Sequence, residues 1–424
     1  MTMKKIDSPH NSSCMDEYDP NSLSVQQALE RIKQQTSPLN GNIKVAIRDA
    51  LDGVLAEDVL STINVPAFTN SAMDGYAVRY ADIENDPSVK LHIVGTAFAG
   101  KPFTGDISSK QCIRIMTGAP VPNKMDTVVM QEHTSSDGDT LSINSECKKG
   151  QNIRLYGEDL KIGEIAIATG QKLRAADIGL IASLGIPEVA IKRKIRVAFF
   201  STGDELRSIG ENLEEGQIYD SNRYTIFCML KTFGVEIIDM GIIPDDPKSI
   251  RSAFETAASN ADMLITTGGV SVGDADFVKQ TLEELGEVNF WKIAMKPGKP
   301  LAFGQLESTT FFGLPGNPVS AMVTFYQFVQ PALRQLLGQT EVNNTTIQLK
   351  CTSTLKKRPG RVDFQRGIIF TDENGESYVK STGNQGSHVL SSMCQANCFI
   401  ILPQNSGNIE AGNFVEVQPF TGIM

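Results

Sequence analysis

The sequence has no long hydrophobic run, and this absence excludes proteins that cross a membrane with helices. No apolar stretch reaches the ~18 residues that a bilayer-spanning helix needs. The first residues also lack the apolar core of a signal peptide. Residues 1–21 are polar, and we interpret them as a disordered leader. The sequence therefore predicts a cytoplasmic protein without a membrane segment.

Close cysteine pairs are also missing, and histidine is scarce. The seven cysteines are scattered, apart from Cys394 and Cys398, and the chain has four histidines. An odd number of scattered thiols is typical of reduced cytoplasmic proteins. Only His388 lies near the cysteine pair, so free thiols are favoured there over a zinc site. The same scarcity of histidine argues against a Ser-His-Asp triad.

An excess of positive charge is the third absence. The formal net charge is -10, which argues against a general binder of nucleic acid or acidic membranes. A local basic pocket for a phosphorylated ligand remains compatible with this charge. With 41% hydrophobic and 21% charged residues, the composition is that of a globular protein, and 424 residues predict two to four domains.

Before residue 195 the chain alternates between short helices and short strands. Ser24 and Gln27 have the spacing of a capping box and predict a helix start. Apolar residues in 45–60 have helical spacing and predict a second, short helix leading into a strand. Alternating segments between Gly and Pro turns in 91–130 predict a small all-β domain. Residues 175–185 predict a helix closed by Gly185.

From residue 195 to about 337, apolar runs alternate with helical patterns. The predicted strands lie at 197–200, 235–240, 263–265, 288–292, 301–303 and 310–314. The predicted helices lie at 221–233, 249–258, 277–285 and 318–337. This alternation predicts a three-layer α/β domain with a mostly parallel sheet. From about residue 345, alternating segments and turns predict a C-terminal β-domain, a small barrel.

Polar loops follow the predicted strands, and ligands of parallel sheets bind at the carboxyl ends of the strands. The stretch 266–276 combines hydroxyls, glycines and two carboxylates before a helix, which favours an anion site. Asp274 and Asp276 there are suited either to cap the helix or to hold a metal ion. Further polar loops lie at 201–205, 244–247, 292–300 and 313–318. Together they predict one pocket with lysines for phosphate and carboxylates for a divalent cation.

Eight short motifs occur in order along the chain. They lie at 70–78, 116–120, 157–159, 201–206, 216–223, 267–273, 296–300 and 313–318. Among them are NSAMDGYAV at 70–78, GQIYDSNR at 216–223, TGGVSVG at 267–273 and KPGKP at 296–300. The ordered set closely resembles the MoeA/gephyrin family of molybdopterin molybdotransferases, from about Ser24 to the C-terminus.

The resemblance implies a multidomain α/β protein of four domains. A split N-terminal linker domain, domain I, occupies 22–63 and 160–193, and is interrupted by a β-rich domain II at 64–159. A MogA-like three-layer α/β/α domain III, which binds molybdopterin, occupies 194–340. A C-terminal β-barrel, domain IV, occupies 341–424.

The resemblance also implies an activity. A family member of this kind inserts molybdate into adenylylated molybdopterin, in a Mg²⁺-dependent step that releases AMP and the molybdenum cofactor. It implies a homodimer whose active cleft lies between subunits, and a MogA-type adenylyltransferase among the protein partners. Neither nucleic acid nor a membrane is an expected partner.

Site residues follow from the chemistry and from the matched motifs. Phosphate groups need cations and backbone N–H groups, and the candidates for this are Lys292, Lys296, Lys299, Thr267, Ser271, Gly268, Gly269 and Gly273. By resemblance, the catalytic or metal-linked carboxylates are Glu205, Asp245 and Asp276. Three further catalytic residues are expected to close the cleft from the partner subunit, namely Asp74, Thr117 and Asp159. The positions tied to molybdate in the family are Arg366 and Ser387, framed by Pro315 and Pro318.

Several choices stay open in the sequence. Asp246 competes with Asp245 as the metal-linked residue, and Arg361 competes with Arg366 as the oxyanion ligand. A MogA-like adenylyltransferase and a non-catalytic scaffold are the rival functions. The preference for molybdate over tungstate is not encoded in any motif above.

Overall fold

The computed structural model describes residues 21–86, 88–268, 276–340 and 343–420. These residues form two compact units. The first combines the described residues up to Ile43 with those from Lys192 onward, and the second runs from Lys44 to Ile191. No helix in the described ranges is long and apolar enough to cross a bilayer. The predicted leader lies outside the described residues, apart from Asn21.

The first unit contains a central sheet that is six-stranded in the described part of the chain. Its strands are β1 (Arg196–Thr202), β2 (Glu236–Ile243), β3 (Met263–Thr267), β4 (Gly286–Lys292), β5 (Pro300–Leu306) and β6 (Thr309–Leu314). The strand order is β2-β1-β3-β6-β5-β4. Strands β2, β1, β3 and β6 run parallel, whereas β5 is antiparallel to both β6 and β4. The prediction of a mostly parallel sheet is confirmed.

Helices cover both faces of this sheet. They span Ser221–Thr232, Pro247–Asn260, Asp276–Leu285 and a longer stretch made of Pro318–Thr324, a π-helical turn at Phe325–Val329, and Gln330–Leu336. Along β1, Val197 and Phe199 belong to one hydrophobic core, and Ala198 and Phe200 belong to another. Because successive strand residues point to opposite faces, both faces are buried, and the domain has three layers.

The helix Val25–Gln35 begins as its sequence predicts. The Gln27 N–H donates to Ser24 Oγ at 3.1 Å, and the Ser24 N–H donates to Gln27 Oε1 at 2.9 Å. Its buried residues, Ala28 and Ile32, pack in the same core as Phe328 of the α/β domain. The first helix therefore packs on the α/β core, although the division above assigned it to the split domain. That division stays a prediction.

The C-terminal part of the first unit is a closed barrel. In the described residues its strands are Ile347–Cys351, Val362–Thr371, Ser377–Ser381, Cys398–Leu402 and Phe414–Pro419. The barrel closes because Val362–Thr371 pairs with both Ser377–Ser381 and Cys398–Leu402. A short helix, Ser391–Gln395, precedes the strand Cys398–Leu402. The predicted C-terminal barrel is confirmed.

The second unit contains the predicted β-rich region. The strands of its main sheet, in spatial order, are Thr127–Met130, Gly75–Val78, Gln111–Ile115, Lys90–Ala97, Thr140–Ile143 and Thr134–Asp137. Two short ribbons accompany it: Asn70–Ser71 pairs with Ile153–Arg154, and Val59–Leu60 pairs with Ile165–Ile167. Short 3-10 turns lie at Tyr80–Asp82 and Gln131–His133.

A separate hydrophobic core of the second unit forms around Ala50, Leu55 and Ile181. Ile181 belongs to the helix Ala175–Ser183, which ends before Gly185 with a φ of 73°, as the glycine stop predicts. The strands Asn42–Ala46 and Glu188–Lys192 lie where the chain passes from one unit to the other.

The prediction of a helix within 45–60 is wrong. The chain forms a 3-10 turn at Ile47–Asp49, and Asp52 then adopts a φ of 63°. Val54 and Leu55 form bridges to Lys172 and Ile191 instead of continuing a helical turn. The apolar residues are buried by these extended pairings, because the positive φ at Asp52 reverses the chain before a helix can propagate.

Candidate active site

Three loops converge at the carboxyl edge of the parallel strands β1, β3 and β6. Gly268 follows β3 with a φ of 89°, and a Cβ there would lie only 2.3 Å from the Thr202 carbonyl oxygen. A Cβ at Gly316, after β6, would lie 4.0 Å from the Gly268 Cα. Only glycine allows this approach of the β3 loop to the end of β1. The edge on which the sequence placed its polar loops therefore has closely packed backbones.

Buried polar oxygens gather at this edge. The Ser201 and Thr267 hydroxyl oxygens lie 2.9 Å apart, so one donates to the other. The side-chain amide of Asn222 donates to the Gly316 carbonyl at 2.7 Å. Four further buried oxygens have no hydrogen-bond partner among the described residues: Thr202 Oγ1, Thr266 Oγ1, Asp220 Oδ2 and Asn222 Oδ1. Buried polar atoms without partners are rare in folded proteins, and a ligand-binding role is one explanation for a cluster of them.

Two of these residues were missed as site candidates in the sequence. Asp220 caps the helix Ser221–Thr232 by accepting from the Arg223 N–H at 3.1 Å, and its second carboxylate oxygen is the unpaired one. Asn222 follows two residues later and is 8% exposed. The signal was present, because both lie in the motif GQIYDSNR, but a motif gives no indication of burial.

Glu205 is exposed and lies against the first glycine of its loop. A Cβ at Gly203 would lie 2.5 Å from Glu205 Oε2, so a larger residue at 203 would displace the carboxylate. The Ile218 N–H donates to the Glu205 carbonyl at 2.9 Å, which ties this loop to the short strand Ile218–Tyr219. The backbone of Glu205 is thus fixed, and its carboxylate remains at the surface.

The structure distinguishes Asp246 from Asp245. Asp246 caps the helix Pro247–Asn260: its Oδ1 accepts from the Lys248 and Ser249 N–H groups, each at 3.1 Å. Hydrogen bonds from Ser249 lower the pKa of Asp246 below its ordinary value. Asp245 is exposed beside it and does not cap this helix. A capping role therefore accounts for Asp246, and the assignment of a metal-linked role to Asp245 stays a prediction.

The predicted lysines lie at the end of β4 and in the loop that follows it, on a fixed backbone. The Leu23 N–H donates to the Lys292 carbonyl at 2.8 Å, and the Ile293 N–H donates to the Lys299 carbonyl at 2.7 Å. Lys296 pairs with Asp363 in a short parallel ladder between Met295–Lys296 and the barrel strand. Lys292 and Lys296 are exposed, and Lys299 is half-buried. The backbone thus holds the loop and presents the lysine side chains at its surface.

Arg366 is embedded in the barrel, only 1% exposed. Its Nε donates to Ser392 Oγ at 3.0 Å, and its Nη2 donates to the Gly386 carbonyl at 3.0 Å. Burial lowers the pKa of Arg366 to about 10, and the carboxylate of Asp363 opposes that effect. Ser387 belongs to the same loop as Gly386 and is half-buried. The structure therefore joins Arg366 to the loop that carries Ser387.

This loop also meets the α/β domain. The Val319 N–H donates to the Ser387 carbonyl at 3.2 Å, at the start of the helix that begins with Pro318. Pro315 lies in the loop that follows β6, between that strand and this helix. Pro315, Pro318, Ser387 and Arg366 are therefore connected through one helix start.

In the second unit, Asp74 and Thr117 form a closed pair. Asp74 Oδ1 accepts from both the backbone N–H and the hydroxyl of Thr117, each at 2.7 Å. The backbone hydrogen bond from Thr117, and then its hydroxyl, lower the pKa of Asp74. A Cβ at the neighbouring Gly75 would lie 2.0 Å from the Val129 carbonyl oxygen, so glycine is required there. Asp159 is exposed, and among the described residues no hydrogen bond joins it to this pair.

Several predicted site residues lie outside the described ranges, namely Gly269, Ser271, Gly273 and Asp274. Asp276 is the first residue of the helix Asp276–Leu285, but its side chain is outside the description. Within the described ranges, no group of three or more His, Cys, Asp or Glu side chains is arranged to hold a metal ion. A cage built only from protein ligands is therefore not found in that part of the chain.

Comparison with known proteins identifies the family. Residues 23–185 match the MoeA N-terminal region (domains I and II), 198–335 match a probable molybdopterin-binding domain, and 348–420 match the MoeA C-terminal region (domain IV). The chain is 46% identical to the molybdopterin molybdenumtransferase of Haemophilus influenzae, over 95% of this chain and 100% of that protein. The chain belongs to the MoeA family of molybdopterin molybdenumtransferases.

Two further relatives agree. The chain is 36% identical to gephyrin of Dictyostelium discoideum over 93% of its own length, but it spans only 62% of that protein. A crystal structure of the molybdopterin biosynthesis MoeA protein of Pyrococcus horikoshii OT3 superimposes with a TM-score of 0.81 and 27% identity. That match covers 94% of this chain and 100% of the other, which confirms the predicted multidomain architecture.

Proposed function

We propose that this protein is a molybdopterin molybdenumtransferase that completes the molybdenum cofactor by inserting molybdenum into molybdopterin. The observation that carries the proposal is the identity with the Haemophilus influenzae transferase over 95% of the chain. The buried oxygens at the carboxyl edge of the sheet, which have no partner in the described part of the chain, support it, because a pterin presents ring N–H and amino donors to such acceptors.

The phosphorylated end of the substrate needs cations and a close backbone. Lys292 ends β4, and Lys296 and Lys299 follow it, at the same edge as the end of β3, because β4 and β3 both run parallel to β6. We assign Lys292 and Lys296 to the phosphate groups, with Thr267 and Gly268 at the end of β3. Gly269, Ser271 and Gly273 continue that loop in the sequence and complete the proposed cradle.

Molybdate, the second substrate, is an oxyanion and needs donors at the other end of the site. We assign this end to Arg366 and Ser387, with Pro315 and Pro318 framing it. The shared hydrogen bond between Val319 and the Ser387 carbonyl supports the assignment, because it places the barrel loop at the start of the helix that follows β6. Arg361 lies five residues before Arg366, is less buried, and is not needed for this arrangement.

Magnesium is the proposed metal ion of the step that releases AMP. Mg²⁺ commonly binds through one or two carboxylates, several waters and the substrate phosphates, so a site of this kind needs no three-carboxylate cage. Glu205, Asp245 and Asp276 all follow strands of the parallel sheet and are the proposed carboxylates. When bound, the ion would supply charge neutralisation for the adenylate phosphates.

We propose that Asp74, Thr117 and Asp159 act in trans, in a homodimer. The closed Asp74–Thr117 pair holds an ionised carboxylate at the surface without a ligand. Exposed apolar side chains on the same unit, Leu60, Ile63, Ile162 and Ile165, are each at least 40% exposed and are suited to burial against another subunit. The proposed location is the cytoplasm, and the proposed protein partner is the adenylyltransferase that supplies the adenylylated pterin.

The test is incubation with adenylylated molybdopterin, molybdate and Mg²⁺. We expect AMP release and the activation of an apo-molybdoenzyme, both dependent on molybdate and on the metal ion. Replacing molybdate by tungstate in parallel reactions measures the metal preference. The proposal fails if full activity persists in the Asp276→Ala and Lys296→Ala variants.

The gephyrin match favours one alternative, a molybdopterin-binding scaffold without catalysis. A scaffold would bind the adenylylated pterin and release no AMP. An adenylyltransferase is the other alternative, and it would consume ATP when given molybdopterin. The same assay separates all three, because AMP release, binding without turnover and ATP consumption are different readouts.

A further inference from the structure

We propose that Gln385 and Ser392 are positioning residues that hold the oxyanion end of the site, an inference that rests on the proposed function. No motif in the sequence marks either residue. Both contact Arg366, Gln385 through its side-chain amide and Ser392 through its hydroxyl. Their role is to fix the loop 384–387, and with it Ser387, relative to the helix that begins at Pro318.

The side-chain amide of Gln385, in the loop, forms two hydrogen bonds with the backbone of Arg366. The Arg366 N–H donates to Gln385 Oε1 at 2.8 Å, and Gln385 Nε2 donates to the Arg366 carbonyl at 3.1 Å. The neighbouring Gly367 pairs with Ser381, where the ladder between the two barrel strands ends. The Thr382 N–H already donates to the Arg366 carbonyl at 3.1 Å, so the Gln385 amide supplies the acceptor for the Arg366 N–H and a second donor to the carbonyl. This paired contact fixes the loop against the barrel at the position of Arg366.

Ser392 fixes the side chain of the same arginine. Its hydroxyl accepts from Arg366 Nε at 3.0 Å and donates to the Val389 carbonyl at 2.7 Å. Because the one hydroxyl hydrogen is committed to Val389, the oxygen faces the guanidinium as an acceptor. Ser392 is 4% exposed, so solvent does not compete for this contact. The guanidinium is thereby aimed at the loop, where Nη2 donates to the Gly386 and Asn384 carbonyls at 3.0 and 3.4 Å.

The loop is consequently held on three sides. Gln385 holds it to the barrel strand, the Arg366 guanidinium holds its carbonyls, and the Val319 N–H holds the Ser387 carbonyl at 3.2 Å. Loss of Gln385 or Ser392 leaves the other two contacts in place. We therefore expect either substitution to displace the loop and leave the barrel folded. The barrel is held closed by hydrogen bonds between its strands, and neither residue lies in a strand.

The test compares Gln385→Ala and Ser392→Ala with Ser392→Thr, which keeps the hydroxyl, and with Gln348→Ala, a control at an exposed residue of another barrel strand. In AMP-release assays, both positioning variants are expected to raise the KM for molybdate about tenfold, as a lost buried hydrogen bond predicts. The kcat at saturating molybdate is expected to stay within about twofold of the parent value. Ser392→Thr and the control are expected to retain the parent KM.

Binding of adenylylated molybdopterin without molybdate is measured in parallel, and we expect it to be unchanged. The inference is overturned if the KM for molybdate is unchanged in both alanine variants, or if pterin binding weakens equally, which would indicate a general structural role. A parent enzyme that releases no AMP in response to molybdate overturns the proposed function instead, and the inference with it. Thermal unfolding identifies a misfolded variant, and Ser392→Thr then decides whether the hydroxyl is required.

Discussion

Two regions of the molecule present polar groups in opposite ways. At Asp74 in the second unit, a surface carboxylate already accepts two hydrogen bonds from Thr117. At the carboxyl edge of the α/β sheet, Thr202, Thr266, Asp220 and Asn222 keep buried oxygens without partners among the described residues. The first arrangement is complete without a ligand. In the second arrangement we propose that a ligand supplies the missing partners, because a buried polar atom without a hydrogen bond costs free energy.

We therefore interpret Asp74 as a charge that is already in place, and the carboxyl edge of the sheet as a binding surface. The pKa of Asp74 is lowered by its hydrogen bonds to Thr117, which lies 43 residues along the chain in the same unit. The sheet edge combines groups from distant parts of the sequence, such as Asn222 and Gly316, which are 94 residues apart. Removing one of the unpartnered oxygens at the edge should therefore weaken binding and raise stability, whereas changes at Asp74 should alter the dependence on pH.

The largest expected effect is at the cationic side of the sheet edge. Lys296→Ala should lower molybdate-dependent AMP release by about 100-fold, because a charge-assisted contact to a phosphate is lost. Lys350→Ala, at an exposed lysine of a barrel strand, is the matched control and should retain activity. Equal activity of the two variants would remove Lys296 from the site.

The next effect tests the close approach of the Gly268 backbone to the end of β1 at Thr202. Gly268→Ala places a Cβ 2.3 Å from the Thr202 carbonyl oxygen at a φ of 89°, and should cost about 3 kcal/mol in the free energy of unfolding. Gly163→Ala has a similar φ of 84° but nothing within 4 Å, and should cost about 1 kcal/mol. Denaturant unfolding gives the loss in free energy of unfolding for each variant, and the difference between the two losses measures the cost of the clash at Gly268. Equal losses would mean that the approach of the two loops is unimportant for stability.

A smaller effect separates the two kinds of polar group most directly. Thr266→Val removes a buried hydroxyl that has no partner among the described residues, so the ligand-free protein should become about 1 kcal/mol more stable while pterin binding weakens. Thermal unfolding and equilibrium binding measure the two changes on the same samples. A variant that is less stable and binds normally would show that the hydroxyl serves the fold and not the ligand.

The smallest expected effect is a shift in the pH dependence of activity, caused by a change beside Asp74. Thr117→Val removes the hydroxyl bond but keeps the backbone N–H bond, which is the larger cause of the lowered pKa of Asp74. The pKa should move part of the way back up, so the acid limb of the activity profile should shift to higher pH. Activity above that limb should be nearly unchanged, because Asp74 is ionised in both proteins there. An unshifted acid limb would show that Asp74 does not control it.

Much of the fold is predictable because its signals are local. Alternation of apolar runs located the strands of the α/β sheet, Ser24 and Gln27 marked the first helix, and Gly185 marked a helix end. The helix predicted within 45–60 was wrong because bridges to Lys172 and Ile191 outweighed a helical pattern. The domain boundaries and the site residues stay predictions, to be tested by the variants above.

The site was predictable in part. The motifs located Asp74 and Thr117 in separate loops, and the structure joins them by two hydrogen bonds. No pattern indicated that Asp246 serves as a helix cap, or that Asp220 and Asn222 contribute buried oxygens. Such roles depend on which partners the folded chain brings within hydrogen-bonding distance, and spacing along the sequence does not contain that information.

The sequence by itself determined the family, the order of strands and helices in the α/β domain, and the glycines that later proved to be sites of close backbone approach. These follow from residue type and spacing, since periodicity and turn chemistry act over a few residues. Only the tertiary structure decided which polar groups are buried and which are already satisfied. It placed Arg366 at 1% exposure and surrounded it with Gln385, Ser392 and the loop of Ser387. Burial and hydrogen bonding are properties of neighbours in space, and the fold alone selects those neighbours.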